Sequence, residues 1–410
     1  MANTLATPDW VTYEVARYFV NSLRGVGQFN RQYSDEFVQA GAKVGDTVKI
    51  RLPQQFTTTA GEALTEQNLY DETVSLILNR RRHVGFGYSS QEATTDIDEL
   101  RTRYVQPAAE TLASTYDRLA LADVYKEVFN SVGTPGTTPN DPLTYLQGVV
   151  KILDSAGPDE GLVAVLAPLD MATIAEANNT LFHPARQISE NYERGQMAAD
   201  QLGISKWFQD QQVPRHQTGA CTGASTPLVN GAGQTGSSIV TDGWGAAACS
   251  LVEGDIVTFA GVYKVNPLSK ESTGQLMQFT LTADISDAAG AITLPISPAI
   301  ITTGSRQNVS NAPADDAVVT YWAMAAGGTQ AATVSSQNMI FHPDAFANAN
   351  ADLVMPNGGA KASRVSSKML NVSLRYVEQF NITDDRNRNR LDFLMGSVAV
   401  QPRMATRIVG

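Results

Sequence analysis

The stretch Asp96–Asn130, DIDELRTRYVQPAAETLASTYDRLALADVYKEVFN, constrains the fold more than any other. Ile97, Leu100, Tyr104, Ala108, Leu112, Tyr116 and Leu119 recur at steps of three and four, the period of a helix with one buried face. Thr95 and Asp96 can cap its start, and Asp96, Asp98 and Glu99 set negative charge against the positive end of the helix dipole. Gly133, Pro135, Gly136 and Pro139 cannot continue it. At about 1.5 Å per residue the rod would be roughly 50 Å long, with a kink where Pro107 lacks a backbone donor. A rod of that length is a spine, and its neighbours in sequence have to explain why one is needed.

Before it lie an arm and a hairpin. Val11, Val15, Phe19, Val20 and Leu23 predict a helix ending near Gly25-Val26-Gly27, whose apolar face must lie on the chain's own body or on a neighbour. Residues 44–52 alternate around a Gly-Asp turn, with Val48, Ile50 and Leu52 on one face, and predict a strand. Residues 53–72, PQQFTTTAGEALTEQNLYDE, are polar and without period, and the alternation returns over Thr73–Tyr88. The result is a long hairpin with an acidic tip and a basic stem, and a loop of that length needs something to reach.

After the spine, Pro142–Asp154 and Leu169–Asn178 predict helices around a buried strand at Leu162–Leu166, a mixed α/β pattern. Phe182–Thr218 is polar and assigns no element. Residues 219–335 are rich in Gly, Ala, Ser and Thr, with short alternating runs at Ile256–Val265, Gln275–Thr282 and Ala291–Ile296 between turn signals, the pattern of an inserted small β-barrel or sandwich. A strand at Asn338–Phe341, a helix at Pro343–Ala351, and two strands at Leu370–Ile382 and Leu391–Pro402 joined by the charged turn Thr383–Arg390 complete the expectation.

A chain of 410 residues with 43% hydrophobic residues supports two or three cores. Its 30 Lys and Arg against 41 Asp and Glu, a formal charge of −11, argue against gripping nucleic acid as the main task, though not against enclosing it. The opening MANTLATPDW lacks the pattern of a secretory leader and no stretch suits a bilayer, so no membrane partner and a soluble cytoplasmic product are expected. Cys221 and Cys249 could face each other, but two buried free thiols fit a reducing compartment.

His83, His183, His216 and His342 show no metal-pair spacing. Asp385–Asn389 imitates the start of a calcium loop, yet Arg390 and Gly396 stand where Gly and Glu are required. No triad order, phosphate loop or dinucleotide fingerprint is present. No catalytic, cofactor-binding or metal residue is therefore assigned, and no enzyme activity or cofactor is expected. The sharpest charge feature is Arg80-Arg81-Arg82, which in a strand makes both faces of the stem cationic. Solubility and edge protection would suffice to explain it. The functional reading pairs Arg80, Arg81 and Arg82 with Glu62, Glu66, Asp71 and Glu72 at the tip of a neighbouring subunit's hairpin, setting register between chains.

Arm, Gly-Asp-Thr-Val strand, long polar hairpin, spine, and an α/β region interrupted by β structure occur here in an order that resembles the major capsid protein of tailed double-stranded DNA phages. Glu253-Gly254-Asp255-Ile256-Val257-Thr258-Phe259-Ala260-Gly261-Val262 and Met339-Ile340-Phe341-His342-Pro343-Asp344-Ala345 are similar to the coat proteins of Salmonella podovirus type. The resemblance implies an α+β, Hong Kong 97-type capsid fold. Its parts would be an N-terminal arm (1–45), an E-loop hairpin with peripheral-domain strands (46–90), the spine helix (91–140), an axial domain in two parts (141–218 and 336–410, the latter with the C-terminal strands) and an inserted all-β domain (219–335). Gly231–Gly245 is short and Gly-rich where the family carries an extended loop that meets a neighbour across two-fold axes.

The implied function is a structural shell protein. It would form hexamers and pentamers with itself, assemble with a scaffolding protein and a portal protein in the host bacterial cytoplasm, and enclose double-stranded DNA without sequence-specific binding in the virion. An encapsulin-like nanocompartment shell is the alternative within the same fold. An enzyme or binding module with an unrecognised site is the alternative from a different class.

Overall fold

The computed structural model describes residues 15, 17, 19, 23–33, 47–62, 64, 66–95, 104–181, 195–221, 226–244, 249–285, 291–322, 331–356, 360–367 and 372–410. They fall into two compact units, one of Met1–Ile50, Thr73–Leu121 and Phe346–Val398, the other of Arg51–Glu72, Ala122–Ala345 and Ala399–Gly410.

The first unit is built on a five-stranded sheet. Phe346–Asn350, Arg386–Ala399, Val372–Asn381 and Lys361–Ser367 lie in that order, and Arg80–Ser89 pairs antiparallel with Arg386–Ala399 over ten residues, from Ser89 opposite Arg386 to Arg80 opposite Met395. Thr47–Arg51 and Thr73–Ile77 form a separate two-stranded ladder. The run expected as one strand over Thr73–Tyr88 is thus broken at Leu78-Asn79 and serves two sheets. Edge-on rings of Phe19, Tyr116 and Phe393, with centroids 5.0 to 6.3 Å apart, mark the core. Beside them the buried Asp117 carboxylate accepts hydrogen bonds from the backbone of Arg24 (3.0 Å) and Val26 (2.8 Å), fixing a short 3-10 turn at Val26–Gln28.

Of the spine predicted over Asp96–Asn130, the described residues begin at Tyr104. Helix spans Gln106–Val124 and tightens to a 3-10 turn at Tyr125–Glu127, about 28 Å for its 19 α-helical residues. Pro107 directly follows a π-helical stretch at Tyr104-Val105, which runs into the α-helix at Gln106; irregular turns of this kind accompany a proline that lacks a backbone donor. Ala108, Leu112 and Tyr116 of the stripe are buried, while Tyr104 lies half exposed, stacked on Phe86 at 6.4 Å. Ile97 and Leu100 lie outside the described residues. So do Val11 and Val20 of the Val11–Leu23 pattern, whose Val15 and Phe19 are helical and whose Val15, Phe19 and Leu23 are buried.

In the second unit Ser131–Gly133, Ala405–Val409, Val334–Phe341, Val163–Leu166 and Lys206–Gln209 form a sheet in that order, antiparallel at its centre and parallel at both ends. The Pro142–Asp154 helix starts on an Asp141 cap, whose carboxylate accepts from the Leu143 backbone at 2.9 Å, with Pro142 in the first turn. It buries Tyr145, Val149 and Ile152 with Leu162, Ala164, Ile340 and Ile408. Gly148 lets it lie close, since a Cβ there would stand 2.8 Å from the Ile408 Cδ1. The Pro168–Leu181 helix adds Met171 and Ile174 to the same core.

Residues 228–321 supply a six-stranded antiparallel sheet, Val319–Tyr321, Ile256–Val265, Ser272–Leu281, Ile292–Ile300, Gly236–Asp242 and Leu228–Val229. Its ends meet: Leu228 bridges Val318, Val229 N–H donates to Ala317 O, and Val319 N–H donates to Pro227 O, both at 2.9 Å. Between the expected barrel and sandwich, the strands therefore close as a barrel, around Trp244, Val257, Phe259, Met277, Phe279, Leu294 and Ile296. The turn after Leu228–Val229 is compact, held by the Gln234 side chain to Asn230, Gly231 and Val240.

Three further expectations are corrected. The turn expected over Thr383–Arg390 is shorter, because the strand Arg386–Ala399 already pairs at Arg386 with Asn381. Pro343 opens only a 3-10 turn, Pro343–Ala345, and Phe346–Asn350 is a strand with all five residues buried, so no helix spans 343–351. Cys221 and Cys249 stand directly opposite each other in a two-stranded ladder, with Cα atoms 4.3 Å apart, and form a disulfide in place of two free thiols. Sheet register, which spacing in sequence does not reveal, brings them together.

Candidate assembly surfaces

Between the two strands of that ladder, the described residues of the extension at 52–72 carry no strand pairing. Leu52 N–H donates to Glu72 O at 2.9 Å, and from there the limbs are joined by glutamine amides. Gln54 donates to Tyr70 O and accepts from Tyr70 N–H at 3.2 Å, and Gln67 accepts from Thr57 N–H at 3.0 Å and donates to Thr57 O. Each amide copies a backbone donor and acceptor pair, so the extension keeps its shape without a core. Glu62 and Glu66 are exposed. Asp71, also exposed, accepts weakly from Gln54 at 3.4 Å, and Glu72 pairs with Arg306 of the barrel region. Phe56, Leu64, Leu69 and Tyr70, between 57% and 88% exposed, share this extension. Sequence reasoning passed over these four because they show no period within a polar stretch.

The stem arginines divide. Arg81 pairs within its own chain with Asp392 at 3.1 Å. The Asp392 carboxylate has no solvent exposure, and Arg375 grips it through Nε (2.9 Å) and Nη2 (2.6 Å) while Arg390 Nε lies at 3.1 Å. Burial alone would raise its pKa, but the hydrogen bonds from Arg375 and Arg81 and the charges of Arg375 and Arg390 outweigh burial and hold it below the usual carboxylate range. Arg82 is exposed and its Nη1 donates to the Arg81 carbonyl at 3.0 Å, while Arg80 is half-buried. Tip and stem residues belong to different compact units. The signal for Asp392 was in the sequence: an acid between Leu391 and Phe393 in an apolar run has to find a buried partner.

The barrel is seated on its sheet by two buried polar sets. Lys264 donates to Asn130 Oδ1 (3.1 Å) and Lys151 O (2.9 Å), and Lys151 donates to Ser131 O (2.7 Å) and Gln278 Oε1 (2.6 Å). Burial, and then the neighbouring Lys151 charge, brings Lys264 down to about 7, and burial brings Lys151 down to about 8. A cavity of about 240 Å³ beside Lys264 is lined also by Arg306, Arg403, Phe129, Met277 and the hairpin base at Leu52 and Pro53. In the second set His216 Nε2 lies 2.7 Å from Asp255, whose other oxygen accepts from Gly219 N–H (3.1 Å), Val252 N–H (2.8 Å) and the Tyr321 hydroxyl. Tyr125 approaches His216 Nδ1 at 3.3 Å. Arg407, fully buried, lies over the Trp322 ring at 5.4 Å and donates to Gly254 O at 2.9 Å. The Tyr-His-Asp order imitates a relay, but His216 and Asp255 are sealed from solvent and what the set does is hold strands. Among the described residues no three His, Cys, Asp or Glu side chains gather as metal ligands.

The sequence profile of the P22 coat protein, gene protein 5, matches residues 25–410. That match defines a structural major capsid protein of a tailed bacteriophage, a subunit that assembles with its own copies into an icosahedral head. The chain belongs to the P22 coat protein family. No curated protein sequence matches it. Solved structures similar to it include a chain of Mycobacterium phage Che8 (11% identity, TM-score 0.44, 93% of this chain and 89% of that one) and the capsid of Ralstonia phage GP4 (9%, 0.44, 93% and 86%). The bacteriophage PhiM1 mature capsid is a third (9%, 0.43, 89% and 82%). It is the family match that places the chain in the virion shell, and no described helix is long and apolar enough to cross a membrane.

Proposed function

We propose that the subunit builds a Hong Kong 97-type shell in which the hairpin at 46–90 is an arm laid over a neighbouring subunit. The observation that carries this is the extension at 52–72, which exposes Phe56, Leu64, Leu69 and Tyr70 on a segment with no core of its own. Such a segment gives up ordering entropy without apolar burial unless another chain covers it. Residues 1–45 serve as the N-terminal arm, 91–140 as the spine, 141–218 and 336–410 as the axial domain, and 219–335 as the family's inserted β-domain. Hexamers and pentamers assemble on a scaffolding protein around a portal in the host bacterial cytoplasm. The acidic chain encloses double-stranded DNA without binding its sequence. The protein has a structural role and performs no catalysis.

The contact between chains sets Glu62 and Glu66, with Asp71 and Glu72 behind them, against the stem of the neighbour. Arg82 is the stem residue best placed to meet them, because Arg81 is committed to Asp392. Glu62→Lys with Glu66→Lys, and separately Arg82→Glu, should each slow shell formation, measured by light scattering and electron microscopy, most strongly at low salt. A chain carrying all three changes should regain assembly. Normal shells from each separate variant, or no recovery in the combination, would refute the pairing.

A further inference from the structure

The Pro142–Asp154 helix has two apolar faces, and the fold uses one. Tyr145, Gly148, Val149 and Ile152 face the sheet. The exposed positions of the helix are Leu143, Leu146, Gln147, Val150 and Leu153, four of them apolar. Leu143 is 54% exposed, Leu146 39%, Val150 43% and Leu153 40%, at steps of three, four and three, so they form one continuous stripe down the helix. Scattered surface leucines need no explanation, but a stripe does. Beside it a cavity of about 300 Å³ is lined by Val132, Gln147, Val150, Lys151 and Gln275. Among the described residues lining it the one cation is Lys151, which turns its ammonium inward to Ser131 O and Gln278. The stripe is therefore uncharged along its length, with Asp141 and Asp154 at its ends, an apolar centre with a polar rim.

We infer that this stripe is a contact surface for a second copy of the chain within the shell, its cavity receiving an apolar side chain of that copy. The inference rests on the shell-forming reading. Area argues for the occupant: four half-exposed side chains offer on the order of 300 Å², far below the ~800 Å² per partner of a complex that stands alone. Such a face cannot hold two free subunits together, but it adds to a lattice in which other contacts already bring copies into place. The absence of charge along the stripe argues against an ionic polymer as its occupant.

The test uses the full-length chain with a photoreactive residue in place of Val150, prepared unlabelled and ¹⁵N-labelled, mixed equally, assembled and irradiated. Cross-linked pairs of mixed isotope are expected. Normal shells that give cross-links only within one chain, for instance to residues 182–194, or only to a different protein, overturn the inference while leaving the shell reading intact. If the unmodified chain forms no shells or capsomers, the shell reading fails and this one with it. In parallel, Leu146→Gln with Val150→Gln should leave the melting temperature of the subunit unchanged and raise the critical concentration for assembly about tenfold. An unchanged critical concentration overturns the inference.

Discussion

The hairpin extension and the barrel are both long excursions in the second unit, and they are held by opposite means. The barrel closes its strands, buries Phe259, Phe279 and Trp244 and carries its own core. The extension has glutamine amides for rungs and turns its apolar residues outward. An excursion with a core is complete within one chain, whereas one without a core is finished by whatever it touches. Apolar residues thus carry opposite meanings in the two places: stability of the subunit in the barrel and, on the proposed reading, cohesion between subunits in the hairpin.

That contrast can be broken most forcefully at Phe259, which is fully buried with its ring centroid 5.5 Å from that of Phe279. Phe259→Ala should cost about 3–5 kcal/mol, read as an early transition in urea unfolding of the unassembled subunit. A loss below about 1 kcal/mol would mean the barrel does not depend on its own core. A smaller effect concerns the barrel's seat. Lys264 has a folded pKa of about 7 against an ordinary 10.5, so between those values the unfolded chain holds a proton that the folded chain lacks. Stability should therefore rise as pH increases from about 7 towards 10.5, and Lys264→Met should flatten much of that slope in thermal melts, leaving a remnant from Lys151. A slope unchanged by the substitution would show that Lys264 is not what the pH relieves. The smallest expected change is in the hairpin: Phe56→Ser with Leu69→Ser should leave subunit stability within about 0.5 kcal/mol while lowering shell yield. A clear fall in subunit stability would place those side chains in a core and erase the contrast.

Elements whose two faces differ were legible in the sequence. The Pro142–Asp154 helix and the Ile256–Val265 strand have the boundaries their periodicity predicts. Phe346–Asn350 was not legible, because a strand buried on both faces loses its alternation, and Pro343 ahead of it imitates a helix start. Pairings between distant residues were hidden for a different reason. Arg81 and Asp392 are 311 positions apart, and only the ten-residue register between their strands brings them within reach. Of the proposed contact residues, the tip acids stand exposed as their composition suggested, while Arg81 and Glu72 have found partners inside the chain.

Closure of the barrel bears on what happens when many copies are crowded together. An open sheet offers a row of unpaired amides that any neighbouring strand can join, and at shell densities such templating would compete with ordered assembly. With Leu228 bridged to Val318 the first and last strands of the barrel's sheet meet each other, and that edge is not offered to a neighbour. At that seam new contacts have to be made through loops and side chains.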